Sequence, residues 1–269
     1  MSIIKNDFEK MNITKIKNYK NKKKLTMITA YDALFAKLFE EIADMILVGD
    51  SLNMSFAGKP DTLSATLDQM IYHTNAVCAG ASKAFVILDM PFGTYINENQ
   101  ALQNAVKVYQ QTNASAIKIE GGEDRAPIIK HLTSNSIAVM GHIGLMPQYV
   151  RSEGGYKVRG KTKEDEEQLI KDAIAVEKAG AFSIVVEGVL SSVAKKITEA
   201  VNIPVIGIGA GNVTDGQVLV WSDMLGFFEE FKPKFVRHYL DGAKLVKDSV
   251  NQYRNDVQDS TFPSKDEEY

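Results

Sequence analysis

The sequence contains a single cysteine, Cys78, so no disulfide can form within the chain. Its thiol content therefore does not require an oxidising compartment. No apolar run approaches the roughly 20 residues that a membrane-spanning helix needs. Neither sign of charge dominates, because the formal net charge is −3 over 269 residues. Nucleic acid and anionic membranes are therefore not expected as partners.

The first 24 residues are rich in lysine but lack the apolar core and the small-residue cleavage site of a secretory signal. Organelle transit peptides avoid acids, whereas this segment carries Asp7 and Glu9. We therefore expect a cytoplasmic protein in which residues 1–24 form an extension packed outside the main domain. The acidic C-terminal segment "SKDEEY" is expected to be flexible.

Eight short apolar runs, rich in Val and Ile, alternate with stretches of helical periodicity. The runs cover residues 25–31, 44–50, 84–90, 116–120, 137–143, 182–188, 204–211 and, more weakly, 217–221. This alternation is typical of a parallel sheet covered by helices on both faces. Eight strands favour a closed (β/α)8 TIM barrel, and a doubly wound sheet of six strands is the alternative. No shift in composition marks a second domain, so residues 1–269 are expected to form a single barrel domain.

Two of the intervening segments carry further expectations. Residues 32–43 predict a helix that covers the sheet, with one apolar stripe formed by Leu34, Phe35, Leu38, Phe39 and Ile42. The long glycine-rich segment 146–161 follows the fifth strand, on the side where barrel active sites form. This segment is a candidate lid, and a tolerated surface insertion is the alternative.

Four of the apolar runs end on or near a carboxylate, namely Asp50, Asp89, Glu120 and Glu187, and the fifth run carries His142. Because the carboxyl ends of parallel strands meet at one mouth of a barrel, these side chains are expected to surround a single cavity. Any one acid could instead cap a turn or pair with a cation. Four acids together would raise one another's pKa values unless a positive charge lies among them.

Lys118 lies two residues before Glu120, so both side chains project from the same face of the strand. One lysine does not balance four carboxylates, whereas a divalent metal would. The candidate ligands are all oxygens, which favours Mg²⁺, with Mn²⁺ as the alternative. Asp50 and Asp89 are predicted to bind the metal directly, and Glu120 is predicted to hold it through a water.

Such a site suits a substrate with two adjacent oxygens, for example a 2-oxo acid. Chelation of its carboxylate and keto oxygens would lower the pKa of the neighbouring C–H. Glu187, across the cavity, is the candidate general base, and Lys118 would hold the enolate oxygen or the carboxylate. The residues thus predict enolate formation followed by carbon–carbon bond formation.

Other motifs favour structural interpretations. "GIGAGN", residues 207–212, places Asn212 where a dinucleotide fingerprint needs its third glycine. Close backbone packing at a barrel end is the favoured interpretation, and an anion cradle is the alternative. His73 and Cys78 lie in a predicted helix and are interpreted as packed helix residues.

Several sequence blocks occur together in a family order and spacing: "MITAYD", "VGDSL", "MIYHT", "KIEGG", "GHIGLMPQ", "GGYKVRGKT", "AKKITEAVNIPVIGIGAGNVTDGQ" and "KPKFV". From residue 25 to the C-terminus the chain resembles the ketopantoate hydroxymethyltransferase family. The resemblance implies a (β/α)8 barrel of the phosphoenolpyruvate/pyruvate type, assembled as a cytoplasmic homodecamer. It also implies transfer of a one-carbon unit from 5,10-methylenetetrahydrofolate to 3-methyl-2-oxobutanoate, giving 2-dehydropantoate in the first step of pantothenate synthesis.

The resemblance also implies a role for each matching residue. The oxo acid would be contacted by Asp50, Ser51, Asp89 and Lys118. The Mg²⁺ site would be formed by Asp50, Asp89 and Glu120. Glu187 would be the proton acceptor, and His142 would line the same site in a role that ranks lower. Asn53 and Gly188 depart from the residues that family members often carry. Neither departure removes a required group.

Two alternatives stay open beside this hypothesis. One is another Mg²⁺-dependent lyase or aldolase acting on 2-oxo acids, and the other is a barrel that binds a metabolite without catalysis. The complete set of acids argues against the second alternative, because simple binding needs no base at Glu187.

Overall fold

The computed structural model describes residues 11–229 and 232–269. The chain divides into two compact units, Met1–Leu219 and Val220–Tyr269. All eight strands belong to the first unit. The expectation of one domain over the whole chain stays a prediction.

Eight parallel strands close into a barrel in chain order. They are β1 (Leu25–Thr29), β2 (Met45–Val48), β3 (Val86–Asp89), β4 (Ala116–Glu120), β5 (Val139–Gly144), β6 (Ser183–Glu187), β7 (Val205–Ile208) and β8 (Gly216–Leu219). The last strand pairs with the first, with Gly216 opposite Leu25. The predicted barrel is therefore confirmed, and the open doubly wound sheet is excluded.

Helices of the first unit precede and separate the strands. They are α1 (Ile13–Asn18), α2 (Ala33–Phe39), α3 (Leu52–Ser55), α4 (Leu67–Gly80), α5 (Glu98–Gln111), α6 (Ala126–Ser134), α7 (Lys163–Lys178) and α8 (Ser191–Ala200), with a 3₁₀ turn at Pro147–Tyr149. The connection between β7 and β8, residues 209–215, is fully described and contains no helix. Close packing explains its glycines, because a Cβ on Gly211 would lie 2.3 Å from Ser191 Oγ.

The barrel interior changes character along the strands. Alternate side chains point inward, and at the N-terminal end they form one apolar cluster that includes Met27, Met45, Ile87 and Met140. Two residues beyond Ile87 on β3, the same inward row reaches Asp89. This alternation is the reason that acids at the ends of apolar strands point into the mouth.

Helix α1 closes the N-terminal end of the barrel. Ile16 is fully buried in the same apolar cluster as Met27 and Met45. Lys20 Nζ donates to Asp215 Oδ2 at 2.8 Å, which ties the chain after α1 to the residue preceding β8. Residues 11–24 thus pack against the N-terminal end of the barrel, because the apolar strand starts need a cover, and the assignment of residues 1–24 as an extension stays a prediction. Residues 1–10 lie outside the described residues.

The apolar stripe predicted for residues 32–43 is buried at Phe39 but exposed at three of its other positions. Leu34, Leu38 and Ile42 are 68%, 58% and 76% exposed, and the residues of α2 that are buried are Ala36 and Phe39. The backbone of α2 lies close against α4, since a Cβ on Gly80 would lie 2.0 Å from the carbonyl oxygen of Ala33. The helix therefore packs against α4 at Ala33, while Leu34, Leu38 and Ile42 stay exposed.

The second unit contains α9 (Trp221–Met224), α10 (Gly242–Gln258) and a 3₁₀ turn at Lys265–Glu267. The eighth predicted strand extended to residue 221, but β8 ends at Leu219 and Trp221 begins α9, where its ring packs on Phe227 at 5.4 Å. Ser264 caps the turn in the acidic tail, whose flexibility stays a prediction. Within the described residues, no helix combines the length and apolarity needed to cross a membrane.

Candidate functional site

The predicted site residues converge at the carboxyl ends of the strands. In the sheet register, Asp89 lies opposite Lys118, Glu120 lies opposite His142, and Glu187 lies opposite Gly144. Neighbouring inward positions of adjacent strands therefore place these side chains side by side. Asp50, which follows β2, joins them because its backbone N–H donates to Asp89 Oδ2 at 3.3 Å.

Lys118 lies at the centre of the acids. Its Nζ is 2.6 Å from Asp89 Oδ1 and 3.8 Å from Glu120 Oε1. Burial alone would lower the pKa of Lys118, but the charges of Asp89, Glu120 and Asp50 raise it above its ordinary value. Lys118 is therefore a buried, fully charged ammonium at the base of the mouth.

His142 connects the two glutamates. Its Nδ1 lies 3.4 Å from Glu120 Oε1 and 3.2 Å from Lys118 Nζ, and its Nε2 lies 3.4 Å from Glu187 Oε2. Burial and the charge of Lys118 act to lower the pKa of His142, but contacts with Glu120 and Glu187 outweigh them and raise it to about 9. The ring of His142 thus lies between buried Glu120 and Glu187, and the side chain of Glu187 is 20% exposed.

The buried carboxylates differ in their electrostatic surroundings. Burial, together with the negative charges of Asp89 and Glu120, raises the pKa of Asp50 well above its usual range. Burial also raises the pKa of Asp89, although Lys118 opposes the change. For Glu120, burial acts upward, but His142, Lys118 and the backbone N–H of Gln148 hold its pKa below the ordinary value. Of these three carboxylates, Asp50 is therefore the one whose charge is least compensated by nearby cations.

Two residues of the site were missed by the sequence reasoning. Gln148, in the 3₁₀ turn after β5, is buried, and its Nε2 donates to Asp50 Oδ2 at 2.9 Å. Its Oε1 accepts a hydrogen bond from the hydroxyl of buried Tyr95. Both residues lie in loops, where no periodic pattern marks a buried polar side chain. The presence of Gln148 in the "GHIGLMPQ" block, which carries the family resemblance, could have marked it as a candidate site residue.

Ser51 is held by Tyr31, which follows the neighbouring strand β1. Its Oγ lies 2.9 Å from the hydroxyl of Tyr31, and the carbonyl oxygen of Tyr31 lies 2.7 Å from His73 Nδ1. The ring of His73 packs edge-on against Phe56. His73 therefore braces Tyr31, in line with its interpretation as a packed helix residue.

The segment 146–161 borders the mouth and is held near both ends. Gln148 anchors its start, and the backbone N–H of Arg159 donates to the carbonyl oxygen of Gly188 at 2.8 Å, directly after Glu187. An open cavity of about 380 Å³ lies beside Gln148. The other side chains that line it are Leu63, Ser64, Phe92, Arg151 and Ser152.

The two departures from the family pattern have structural surroundings of their own. Asn53 is buried, and its Nδ2 donates to the carbonyl oxygen of Asp61 at 2.7 Å and to Ser64 Oγ at 3.0 Å. Gly188 has a φ of +57°, in the left-handed region that favours glycine. Asn53 thus supports a loop beside the cavity, and Gly188 allows the chain to turn after Glu187.

The donor set fits an open magnesium site. In the described part of the chain, no three acidic, histidine or cysteine side chains lie close enough together to cage a metal ion. Mg²⁺ typically takes one or two protein carboxylates and fills its other positions with waters and substrate oxygens. Asp50 and Asp89 offer such a pair, because their carboxylates interact closely enough for the charge of Asp89 to raise the pKa of Asp50. The sequence's lone thiol, Cys78, lies in α4.

Comparison with known proteins identifies the family. Residues 10–265 match the family model described as ketopantoate hydroxymethyltransferase. Proteins named 3-methyl-2-oxobutanoate hydroxymethyltransferase are 87% identical in Aliarcobacter butzleri, over 100% of both chains, and 65% identical in a Nitratiruptor species, over 96% of this chain and 98% of the relative. The relative from Helicobacter pylori strain 26695 is 52% identical over 100% of both chains.

Solved structures support the fold. A phosphonopyruvate hydrolase superposes with a TM-score of 0.63 at 12% identity, covering 95% of this chain and 90% of that chain. A 2,3-dimethylmalate lyase, titled a member of the PEP mutase/isocitrate lyase superfamily, superposes with a TM-score of 0.58 at 14% identity and the same coverage. The barrel is shared with these enzymes, and the full-length match in sequence is to one family. This chain belongs to the ketopantoate hydroxymethyltransferase family.

Proposed function

We propose that this protein transfers a hydroxymethyl group from 5,10-methylenetetrahydrofolate to 3-methyl-2-oxobutanoate. The products are 2-dehydropantoate (ketopantoate) and tetrahydrofolate, in the first step of pantothenate and hence coenzyme A synthesis, which we place in the cytoplasm. The observation that carries the proposal is the convergence of Asp50, Asp89, Lys118 and Glu187 on one barrel mouth in a chain of this family.

Substrate binding is assigned to Asp50, Ser51, Asp89 and Lys118. The Lys118 ammonium is the buried cation that the keto oxygen or carboxylate of an oxo acid can approach. Its pairing with Asp89 holds the ammonium at a fixed place before substrate arrives, so little reorganisation is needed on binding. Ser51, held by Tyr31, adds a hydroxyl next to Asp50.

Mg²⁺ is proposed to bind to Asp50 and Asp89 directly and to Glu120 through a water. When bound, it supplies a Lewis acid that polarises the keto group of the substrate. One fold neighbour, a phosphonopyruvate hydrolase, has a structure titled as a complex with oxalate and Mg²⁺. Oxalate offers two adjacent oxygens, as a 2-oxo acid does, which supports this assignment of the mouth.

Proton removal is assigned to Glu187. The carboxylate of Glu187 is partly exposed, and its Oε2 lies 3.4 Å from His142 Nε2. Glu187 would take the proton on C3 of the oxo acid, and the released electron pair would form the enolate, whose oxygen faces Lys118. C3 is then joined to the donor's methylene carbon, whose bonds to N5 and N10 of the folate break. The proton held by Glu187 and one proton of a water pass to these nitrogens, which gives tetrahydrofolate. The oxygen of the new hydroxymethyl group comes from water.

Assembly into a homo-oligomer, expected to be a decamer, is part of the proposal. Several large apolar side chains are exposed on α2 and α4. They are Leu34 and Leu38 of α2, Ile42 after it, and Tyr72 of α4, which is 70% exposed. Exposed large apolar side chains on two neighbouring helices are typical of an interface. Sedimentation analysis tests it, and a monomer at micromolar concentration would contradict the proposal.

The experiment that tests the activity separates it from its alternatives. Product formed from 3-methyl-2-oxobutanoate is measured with and without methylenetetrahydrofolate, and with Mg²⁺ removed by a chelator and restored. We expect 2-dehydropantoate only when all three are present. Cleavage of an oxo acid without the folate would indicate a lyase, and binding without turnover would indicate a non-catalytic barrel.

A further inference from the structure

Gln148 makes four hydrogen bonds to three separate parts of the mouth. Its backbone N–H donates to Glu120 Oε2 at 3.0 Å. Its side-chain Nε2 donates to Asp50 Oδ2 and to the carbonyl oxygen of Met90, each at 2.9 Å. Its Oε1 accepts from the hydroxyl of Tyr95 at 2.5 Å. The side chain is thus fully satisfied while only 4% of the residue is exposed.

The surroundings of the Gln148 amide allow one orientation. An amide presents two N–H donors on its nitrogen and an acceptor on its oxygen. The carboxylate of Asp50 and the carbonyl of Met90 are acceptors, so the nitrogen must face them. The hydroxyl of Tyr95 can donate, and it holds the amide oxygen on the opposite side. Without that donor, the orientation of Gln148 loses its restraint on one side.

We propose that Gln148, held by Tyr95, is a positioning residue that fixes Asp50 and Glu120 for Mg²⁺ and, through them, for the oxo acid. The inference rests on the proposed function for the identity of the substrate. Its effect on Mg²⁺ binding is a property of the mouth alone. Neither Gln148 nor Tyr95 contacts the reacting atoms in this role, and both act through the carboxylates.

The chemistry of an amide suits this role. Asp50 lies beside the like charges of Asp89 and Glu120, which favour rotation of its carboxylate away from them. A lysine or arginine at position 148 would steady Asp50 but would also repel a divalent cation in the same space. A neutral N–H donor orients the carboxylate without that competition. Groups that orient metal-binding side chains typically affect metal affinity about 10–100-fold.

The test uses Gln148→Leu, Tyr95→Phe and the double variant in the full-length protein. The Kd for Mg²⁺ is measured by calorimetry with the metal alone and then with 3-methyl-2-oxobutanoate present, and thermal unfolding is recorded for each variant. We expect Gln148→Leu to weaken Mg²⁺ binding about 10–100-fold. Tyr95→Phe is expected to weaken it less. Because Tyr95 acts through Gln148, the double variant is expected to match Gln148→Leu rather than to show the product of both effects.

Two matched controls separate positioning from general loosening. Gln100→Leu makes the same substitution in the region that follows Tyr95, where Gln100 accepts from the backbone N–H of Ile96 at 2.9 Å. Tyr109→Phe removes a hydroxyl that accepts from the backbone N–H of Ala138 at 3.0 Å, before β5. Both controls are expected to change thermal stability and to leave the Kd for Mg²⁺ unchanged.

The outcomes are distinct. If Gln148→Leu or Tyr95→Phe lowers thermal stability with no change in Mg²⁺ affinity, the proposal is overturned. It is also overturned if Gln100→Leu weakens Mg²⁺ binding equally. Should Gln148→Leu not fold, Tyr95→Phe gives the same readout, because it removes a single oxygen. A wild-type protein that binds Mg²⁺ but forms no 2-dehydropantoate would refute the proposed function and leave the Mg²⁺ comparison interpretable.

Discussion

The two ends of this barrel use one strand pattern for opposite purposes. At the N-terminal end, inward side chains such as Met27 and Met45 meet Ile16 of α1 in a dry apolar cluster. At the carboxyl end, the same inward rows carry Asp89, Lys118 and other charged groups, nearly all of them buried. Most side chains are buried at both ends, but one end is stabilised by apolar burial and the other by charge pairing.

The difference shows where stability and function separate. Apolar burial at the closed end is favourable without any partner of defined geometry. A buried carboxylate is unfavourable unless a cation or a hydrogen-bond donor faces it. The mouth therefore holds an unbalanced set of acids that a bound cation and substrate can complete, whereas the closed end is complete in itself. Substitutions at the two ends should thus separate activity from stability.

The largest effect is expected for Glu187→Gln at the mouth. The amide cannot accept the C3 proton, so exchange of that proton in 3-methyl-2-oxobutanoate should fall about 10²–10⁴-fold. Mg²⁺ and substrate binding should remain, because Glu187 is not assigned to either. Loss of the C3 proton signal in D₂O, followed by NMR, measures the exchange. Normal exchange in this variant would rule out Glu187 as the base.

The next effect is expected for Lys118→Met, which removes the cation from the mouth. Asp89 would remain buried without its positive partner, so the free energy of unfolding should fall by about 3–5 kcal/mol. Denaturant titration measures this loss. Added Mg²⁺ is expected to restore part of the stability, because a cation that binds the folded state stabilises it.

Lys107→Met provides a matched control for Lys118→Met. The Nζ of Lys107 lies 2.6 Å from Asp68 Oδ1, the same separation as in the Lys118–Asp89 pair, but both side chains are well exposed. Exposed pairs contribute about 0–1 kcal/mol, so this substitution should have little effect. Equal losses in the two variants would contradict the importance of burial at the mouth.

Much of the mouth could be predicted from the sequence because one rule governs it. Each strand alternates with period two, so an apolar run that ends on an acid predicts both the strand and the direction of its last side chain. Asp89, Lys118, Glu120 and Glu187 all follow that rule, and the structure brings them together. His142 follows the rule as well. It lies between two glutamates, which is a more central position than the lower-ranked role expected for it from the sequence.

Features that depend on contacts between distant segments could not be predicted. Gln148 and Tyr95 lie in different loops, and their hydrogen bond joins residues 53 positions apart. The apolar stripe with Leu34 and Leu38 was recognised, but periodicity does not tell whether such a stripe faces the sheet or the outside. Ile16 is buried because it covers the N-terminal end of the barrel, which exists only once all eight strands have closed. No local sequence pattern indicates this contact.

At the closed end, Ile16→Ala is expected to have the smallest effect on activity of the substitutions considered at the two ends. Removal of this buried side chain leaves a cavity beside Met27 and Met45 and should lower the free energy of unfolding by about 2–5 kcal/mol. The kcat/KM of the folded enzyme should stay within error of wild type, because the mouth lies at the other end of the strands. Ile13→Ala, on the same helix but only partly buried, should lose less stability. Denaturant titrations and the transfer assay give both quantities. A clear fall in kcat/KM for Ile16→Ala would show that the two ends are coupled, since a stability loss alone does not alter the folded mouth.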